Sequence, residues 1–128
     1  MNTEIEMNKW REFFETLSKR RFEWKTSIEV MGPDLGDQML SDGLPFNGIT
    51  MEKGETPAIS ISVGENPDAH QTHRISEPIN VAFLDADNSK GDIVEIEEKD
   101  GTKTLLTFIE AKGILIGFAE FEGVAAVF

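Results

Sequence analysis

The chain is predicted to fold as a mainly β, α+β domain. An N-terminal amphipathic helix is followed by an antiparallel meander, or a curled, barrel-like sheet, of about six to eight strands. Three observations carry this expectation. Apolar residues recur at helical spacing near the N-terminus. From Trp24 onward they alternate with period two. Turn-forming residues then punctuate the chain every roughly eight to twelve positions.

The helix is expected over about residues 8–21. Trp10, Phe13, Phe14 and Leu17 fall at i, i+3, i+4 and i+7 and form one apolar stripe. Asn8 can cap the start by accepting a backbone N–H. Lys19, Arg20 and Arg21 close the last turn, where positive charge complements the helix dipole.

The β-rich body is expected over about 24–110. Trp24, Thr26, Ile28 and Val30 alternate with Lys25, Ser27, Glu29 and Met31. Gly32-Pro33-Asp34-Leu35-Gly36 breaks the chain. A short strand is predicted over 37–40, a second break at 43–45 and another strand over 46–52, with Ile49 and Met51 on one face. Ile59, Ile61 and Val63 alternate with Ser60 and Ser62, the clearest half-buried strand. After Pro78, Ile79, Val81 and Phe83 are predicted to point inward. Residues 85–91 then join that strand to 93–98. Asp100-Gly101 marks a tight turn into the strand 103–109.

At 128 residues, one domain spanning 1–128 is expected, large enough for a core without staples. No cysteine occurs, which removes disulfides, thiolate nucleophiles and Cys-type zinc sites. Residues 1–7 lack the apolar stretch of a signal peptide, and no apolar run is long enough to span a bilayer. A cytoplasmic location is expected. The net charge is −12, and it is uneven. Residues 1–25 hold six basic and five acidic side chains, whereas the remainder holds six and nineteen. Such an acidic body repels phosphate backbones and anionic lipid, so neither nucleic acid nor membrane is expected as a partner.

The order of several segments resembles a known family. They are the helix with Trp10 and Phe13-Phe14, the Trp24 strand ending Ile28-Glu29-Val30-Met31-Gly32, and Leu35-Gly36-Asp37-Gln38. Leu44-Pro45-Phe46-Asn47-Gly48-Ile49, Ile59-Ser60-Ile61, and Asp68-x-His70-x-Thr72-His73-x-Ile75 with Pro78 follow. Together they resemble small bacterial proteins grouped as domain of unknown function 5335, over about Trp10 to Phe108. The resemblance implies a bacterial, single-domain protein and brings no activity or catalytic residues. The ending over 113–128 departs from the family's pattern.

His70 and His73 are the only histidines, and they sit three apart in Asn66-Pro67-Asp68-Ala69-His70-Gln71-Thr72-His73. This is the one cluster able to do chemistry at neutral pH. If Pro67 starts a helical turn capped by Asn66, both imidazoles share a face and can bind one divalent transition metal, with Asp68 as an oxygen ligand. If the segment is extended, they point to opposite sides. Zinc wants three or four protein ligands, so other carboxylates would have to complete the site. A histidine acid–base enzyme with Thr72 and Asp68 lacks a nucleophile elbow. Asp85-Ala86-Asp87-Asn88-Ser89-Lys90-Gly91-Asp92 departs from an EF-hand loop because glycine arrives one residue late. No glycine-rich phosphate motif occurs.

The expected function is therefore that of a non-catalytic binding or oligomerisation module, with no resident cofactor. Its expected interface is the sheet edge or the tail 113–128, where Phe118, Phe121 and Phe128 would meet a protein partner or a second copy. The first alternative is a metal-binding or metal-dependent hydrolytic site at His70, His73 and Asp68. The second is a curled sheet holding a small apolar ligand behind Ile59, Ile61 and Val63.

Overall fold

The structure is a computed structural model that describes residues 2–34, 36–84 and 91–110. The strands are β1 (Asn2–Ile5), β2 (Lys25–Gly32), β3 (Gly36–Glu52), β4 (Ala58–Gly64), β5 (His70–Ser76), β6 (Pro78–Leu84), β7 (Ile93–Glu98) and β8 (Lys103–Glu110). The helix α1 (Trp10–Arg20) lies between β1 and β2. The described strands form one open antiparallel sheet in the order β1-β6-β7-β8-β2-β3-β4-β5, so the mainly β expectation holds. The meander is interrupted: β2 pairs with β8, the last described strand, as well as with β3.

The helix forms where the apolar stripe requires it. Trp10, Phe14 and Leu17 are buried and Phe13 packs half-buried against the core. Asn8 does not cap α1. It lies inside a 3₁₀ turn, Met7–Lys9, which runs directly into the helix, and the N-cap residue Lys9 makes no side-chain cap. The Trp10 indole N–H instead donates to the Ile5 carbonyl at 2.9 Å, tying the helix start to β1.

β3 is a single strand where a short strand, a break and a second strand were expected. It spans 17 residues because Gly43 bulges without leaving the ladder. Thr26 faces Leu44 and Ser27 faces Asp42, so Gly43, at φ 94°, is the extra residue that bends the strand. The first part of β3 pairs with β2 and the second with β4. Where β2 no longer reaches, α1 takes over. The Ser18 hydroxyl accepts from the Ile49 N–H at 2.9 Å and donates to the Ile49 carbonyl at 3.1 Å. That satisfies both backbone groups which a neighbouring strand would otherwise pair.

The bend rolls the sheet around α1. Inward side chains form one buried cluster that includes Ile28, Phe46, Ile49, Ile59, Ile61, Val63, Ile75, Val81, Val94, Ile96, Leu106 and Phe108. Phe108 stands edge-on to Phe46, with ring centres 5.0 Å apart, and edge-on to Trp24. Buried Thr26 donates to the Leu44 carbonyl at 2.7 Å, so its hydroxyl is satisfied. Ile79 does not point inward as expected but is 44% exposed, because the β6–β7 register slips between Pro78 and Asn80. The Asp100-Gly101 turn forms as expected, with Gly101 at φ 95° and Glu98 N–H donating to the Thr102 carbonyl.

Candidate functional site

A groove of about 540 Å³ lies at one end of the rolled sheet. Phe22, Glu23, Pro45, Asn47, Gly64 and His70 are among its walls. Each wall is held by backbone geometry. After α1, Arg21 N–H donates to Leu17 and the chain reverses through Glu23 at φ 68°. Glu23 N–H then donates to the Phe46 carbonyl at 2.8 Å, and Phe46 N–H donates to the Trp24 carbonyl at 2.9 Å. These bonds bolt the turn to β3 and leave Phe22 51% exposed at the rim.

The floor is equally fixed. The β3–β4 register slips between Phe46 and Gly48, which leaves Asn47 opposite no residue of its own. Its amide, oriented to satisfy both partners, donates to the Gly64 carbonyl at 3.2 Å and accepts from the Gly64 N–H at 3.3 Å. The side chain replaces a missing rung of the ladder. Gly64 lies at φ 146°, and a Cβ there would sit 2.3 Å from His70 Cα and 2.5 Å from the Ala69 carbonyl oxygen. Only glycine lets β4 and the start of β5 approach so closely.

Of the two conformations considered for the segment before the histidines, both occur in part: a short turn, then an extended strand. The Asn66 side chain accepts from the Asp68 N–H at 2.9 Å and caps a 3₁₀ turn, Pro67–Ala69. His70 is already extended, at φ −119° and ψ 158°. His70 and His73 are therefore both in β5, three residues apart, and face opposite sides of it. His70 is exposed and lines the groove. His73 pairs across from Ile61 on the inner face, and its Nε2 lies 3.2 Å from the Thr104 hydroxyl of β8. Burial pushes the His73 imidazole below its ordinary value, favouring the neutral form. Asp68 is exposed on the turn. The structure thus brings His73 to Thr104 rather than to His70 and Asp68. Among the described residues, no group of three or more His, Cys, Asp or Glu is placed to hold a metal ion.

The basic triplet at the helix end divides by role. Lys19 and Arg20 are exposed, whereas Arg21 folds back as a structural clamp. Its guanidinium lies 2.5 Å from the Asp92 carboxylate and 4.3 Å from the centre of the Trp24 ring. Phe22, Pro45 and Asn47 were not marked as functional by the sequence. Phe22 gave one usable signal: it is an aromatic residue outside the helix stripe, directly after three cations.

Behind β4, the inward Ile59, Ile61 and Val63 are fully buried among Phe46, Ile49 and Ile75. Residues 85–90 of the loop compared with an EF-hand lie outside the described residues, as do Phe118, Phe121 and Phe128. No helix among the described residues is long and apolar enough to cross a membrane.

The model of a family of unknown function, DUF5335, matches residues 1–114. The chain belongs to this family. An uncharacterized protein of Aquifex aeolicus (strain VF5) is 24% identical to this DUF5335 chain over 102 residues. That alignment covers 80% of the chain and 86% of the relative. No solved structure matches the chain. The family match ends at Ile114, so most of the apolar C-terminal run of this DUF5335 member lies beyond it.

Proposed function

We propose that this DUF5335 chain is a non-catalytic binding module that docks an extended, largely apolar peptide in the groove between Phe22 and His70. One observation carries the reading. Phe22 is a large aromatic side chain, half exposed, at the rim of a groove whose floor and wall are fixed by backbone bonds. A preformed rim aromatic supplies contact area at little entropic cost on binding. The groove also adjoins β5, which has a pairing neighbour on one side only among the described residues. An open edge offers backbone donors and acceptors to an incoming strand. The partner is a peptide segment of another protein or of a second copy. The cysteine-free composition fits a reducing compartment, and we place the module in the cytoplasm.

The test is a peptide-display selection on the immobilised full-length chain, using random heptapeptides, with Phe22→Asp as the counter-target. Enrichment of apolar, β-prone sequences on wild type and their loss on Phe22→Asp is the expected result. No enrichment, or equal enrichment on both, refutes the groove as a docking site.

A further inference from the structure

We propose that the outer face of the sheet, turned away from α1, is a second docking surface, and that it takes a basic amphipathic helix of another protein. The proposal goes beyond the groove reading and does not rest on it.

Strand register supplies the first argument. Glu4 on β1 faces Ala82 on β6, and Ala82 faces Glu95 on β7. Glu95 faces Leu105 on β8, Leu105 faces Glu29 on β2, and Glu29 faces Met39 on β3. Six residues from six strands therefore stand in one row, and residues directly opposite in a ladder share a face. The chain neighbours of this row, Ile5, Val81, Ile96, Leu106 and Ile28, belong to the core on the other side. The row thus lies on the outer face, and it alternates carboxylate with apolar side chain along its whole length.

The apolar members supply the second argument. The solvent face of an antiparallel sheet is ordinarily polar. Here Ala82 and Leu105 are half-buried and Met39 is 56% exposed. One row along, Ile93 pairs with Thr107 on the same face, and beyond it Ile109 is 38% exposed. An apolar band of this kind on an open sheet face marks a surface that a partner covers.

Charge supplies the third argument and selects the occupant. Glu4, Glu95 and Glu29 stand two strands apart from one another in turn, about 9.6 Å. Glu97, Asp37 and Asp42 add carboxylates to the same face. Among its described side chains the cations are Lys25 and Lys103, and Lys103 lies 3.7 Å from Glu95. A second copy would present the same acidic row, and like charges oppose that pairing. A helix rises about 1.5 Å per residue, so cations seven positions apart lie about 10.5 Å apart and match the carboxylate spacing. Apolar residues three and four positions after each cation then share its face and fall over Ala82 and Leu105.

The probe is a labelled helical peptide of alanine, leucine and lysine, about eighteen residues long, with lysines seven apart and leucines between them. A permuted peptide of identical composition is the comparison. Fluorescence anisotropy with the full-length chain is expected to show the patterned peptide binding at least about tenfold tighter than the permuted one. Glu4→Lys combined with Glu29→Lys is expected to weaken the patterned peptide about tenfold, and Leu105→Ser about fivefold. Glu12→Lys combined with Glu15→Lys, both exposed on α1, changes the net charge equally and is expected to leave binding within about twofold. Phe22→Asp is expected to leave it within the same limit, which keeps this surface distinct from the groove.

Equal affinity for the two peptides overturns the proposal, and so does equal weakening by the two charge-reversal pairs, because the attraction would then be to net charge alone. Absent binding overturns it, as does binding that Leu105→Ser leaves unchanged. Binding lost in Phe22→Asp overturns it by assigning the peptide to the groove.

Discussion

His73 Nε2 on the edge strand β5 lies 3.2 Å from the Thr104 hydroxyl on β8, a strand four places away in the sheet order. The contact spans the rolled interior and joins the two limbs of an otherwise open sheet. It is a polar pair whose histidine half is half-buried, so its strength depends on which protonation state the imidazole adopts.

Acid should loosen this contact. The folded-state value of His73 is depressed by burial below the ordinary 6.5. The unfolded chain therefore takes up its proton first as pH falls. Stability from the neutral imidazole is complete above about 6.5 and is lost as pH drops through the lower folded value. Melting temperatures recorded from about pH 7.5 to about pH 5 should fall more steeply for wild type than for His73→Gln. Parallel slopes would remove His73 as the acid-sensitive group.

The glycine under the groove admits no side chain. Gly64→Ala places a Cβ against the His70 and Ala69 backbone, where no rotamer can relieve the contact. A loss of about 2–4 kcal/mol is expected, readable by urea denaturation. The same variant should expose β5 amides to exchange before those of β8. A near-neutral result would mean that β4 and β5 can separate at little cost.

Arg21 should behave as a core residue despite its charge. It pairs with Asp92 while its guanidinium covers Trp24, and the two side chains are 21% and 16% exposed. Arg21→Ala is expected to cost about 2 kcal/mol through the lost pair and the lost stacking together. Arg21→Lys should recover only part of it, because an ammonium lacks the flat face. Equal stability of the lysine variant and wild type would assign the whole effect to charge.

Metal addition discriminates between the two placements of the histidines. With His70 and His73 on opposite faces of β5, Zn²⁺, Ni²⁺, Mn²⁺ and Ca²⁺ should leave the melting temperature of wild type where EDTA leaves it. A native-state ligand must raise that temperature by mass action. A rise with one ion, lost in His73→Ala, would establish the metal reading in place of the docking one.

Much of the architecture was legible because local periodicity and burial agree. Ile59, Ile61 and Val63 alternate in the sequence and are all buried in β4. Trp10, Phe14 and Leu17 share a helical face and are buried together. What was missed depends on pairing rather than pattern. β1 has four residues, and Thr3 and Glu4 carry no apolar alternation; its existence depends on Leu84 and Val81 of β6. The expected break at Gly43 is instead a bulge, because β2 continues to supply partners on either side of it. The histidine pair showed the same limit. Asn66 and Pro67 allowed a capped turn or an extended segment, and the facing of His70 and His73 was set by β5 pairing to β4. The groove was illegible for a related reason. Phe22, Pro45 and His70 are far apart in sequence and meet only through the β2–β3–β4–β5 register.

The position of β2 also has a consequence during synthesis. Its two neighbours are β3, made soon after it, and β8, made last among the described strands. A hairpin of β2 and β3 can form early, but its outer side stays unpaired while β4, β5, β6 and β7 emerge. An early strand with one bare side is an aggregation hazard until its late partner arrives. The acidic excess after residue 25 repels neighbouring nascent chains of the same kind through that interval. The second side of β2 is paired only when β8, which ends at Glu110, has been made.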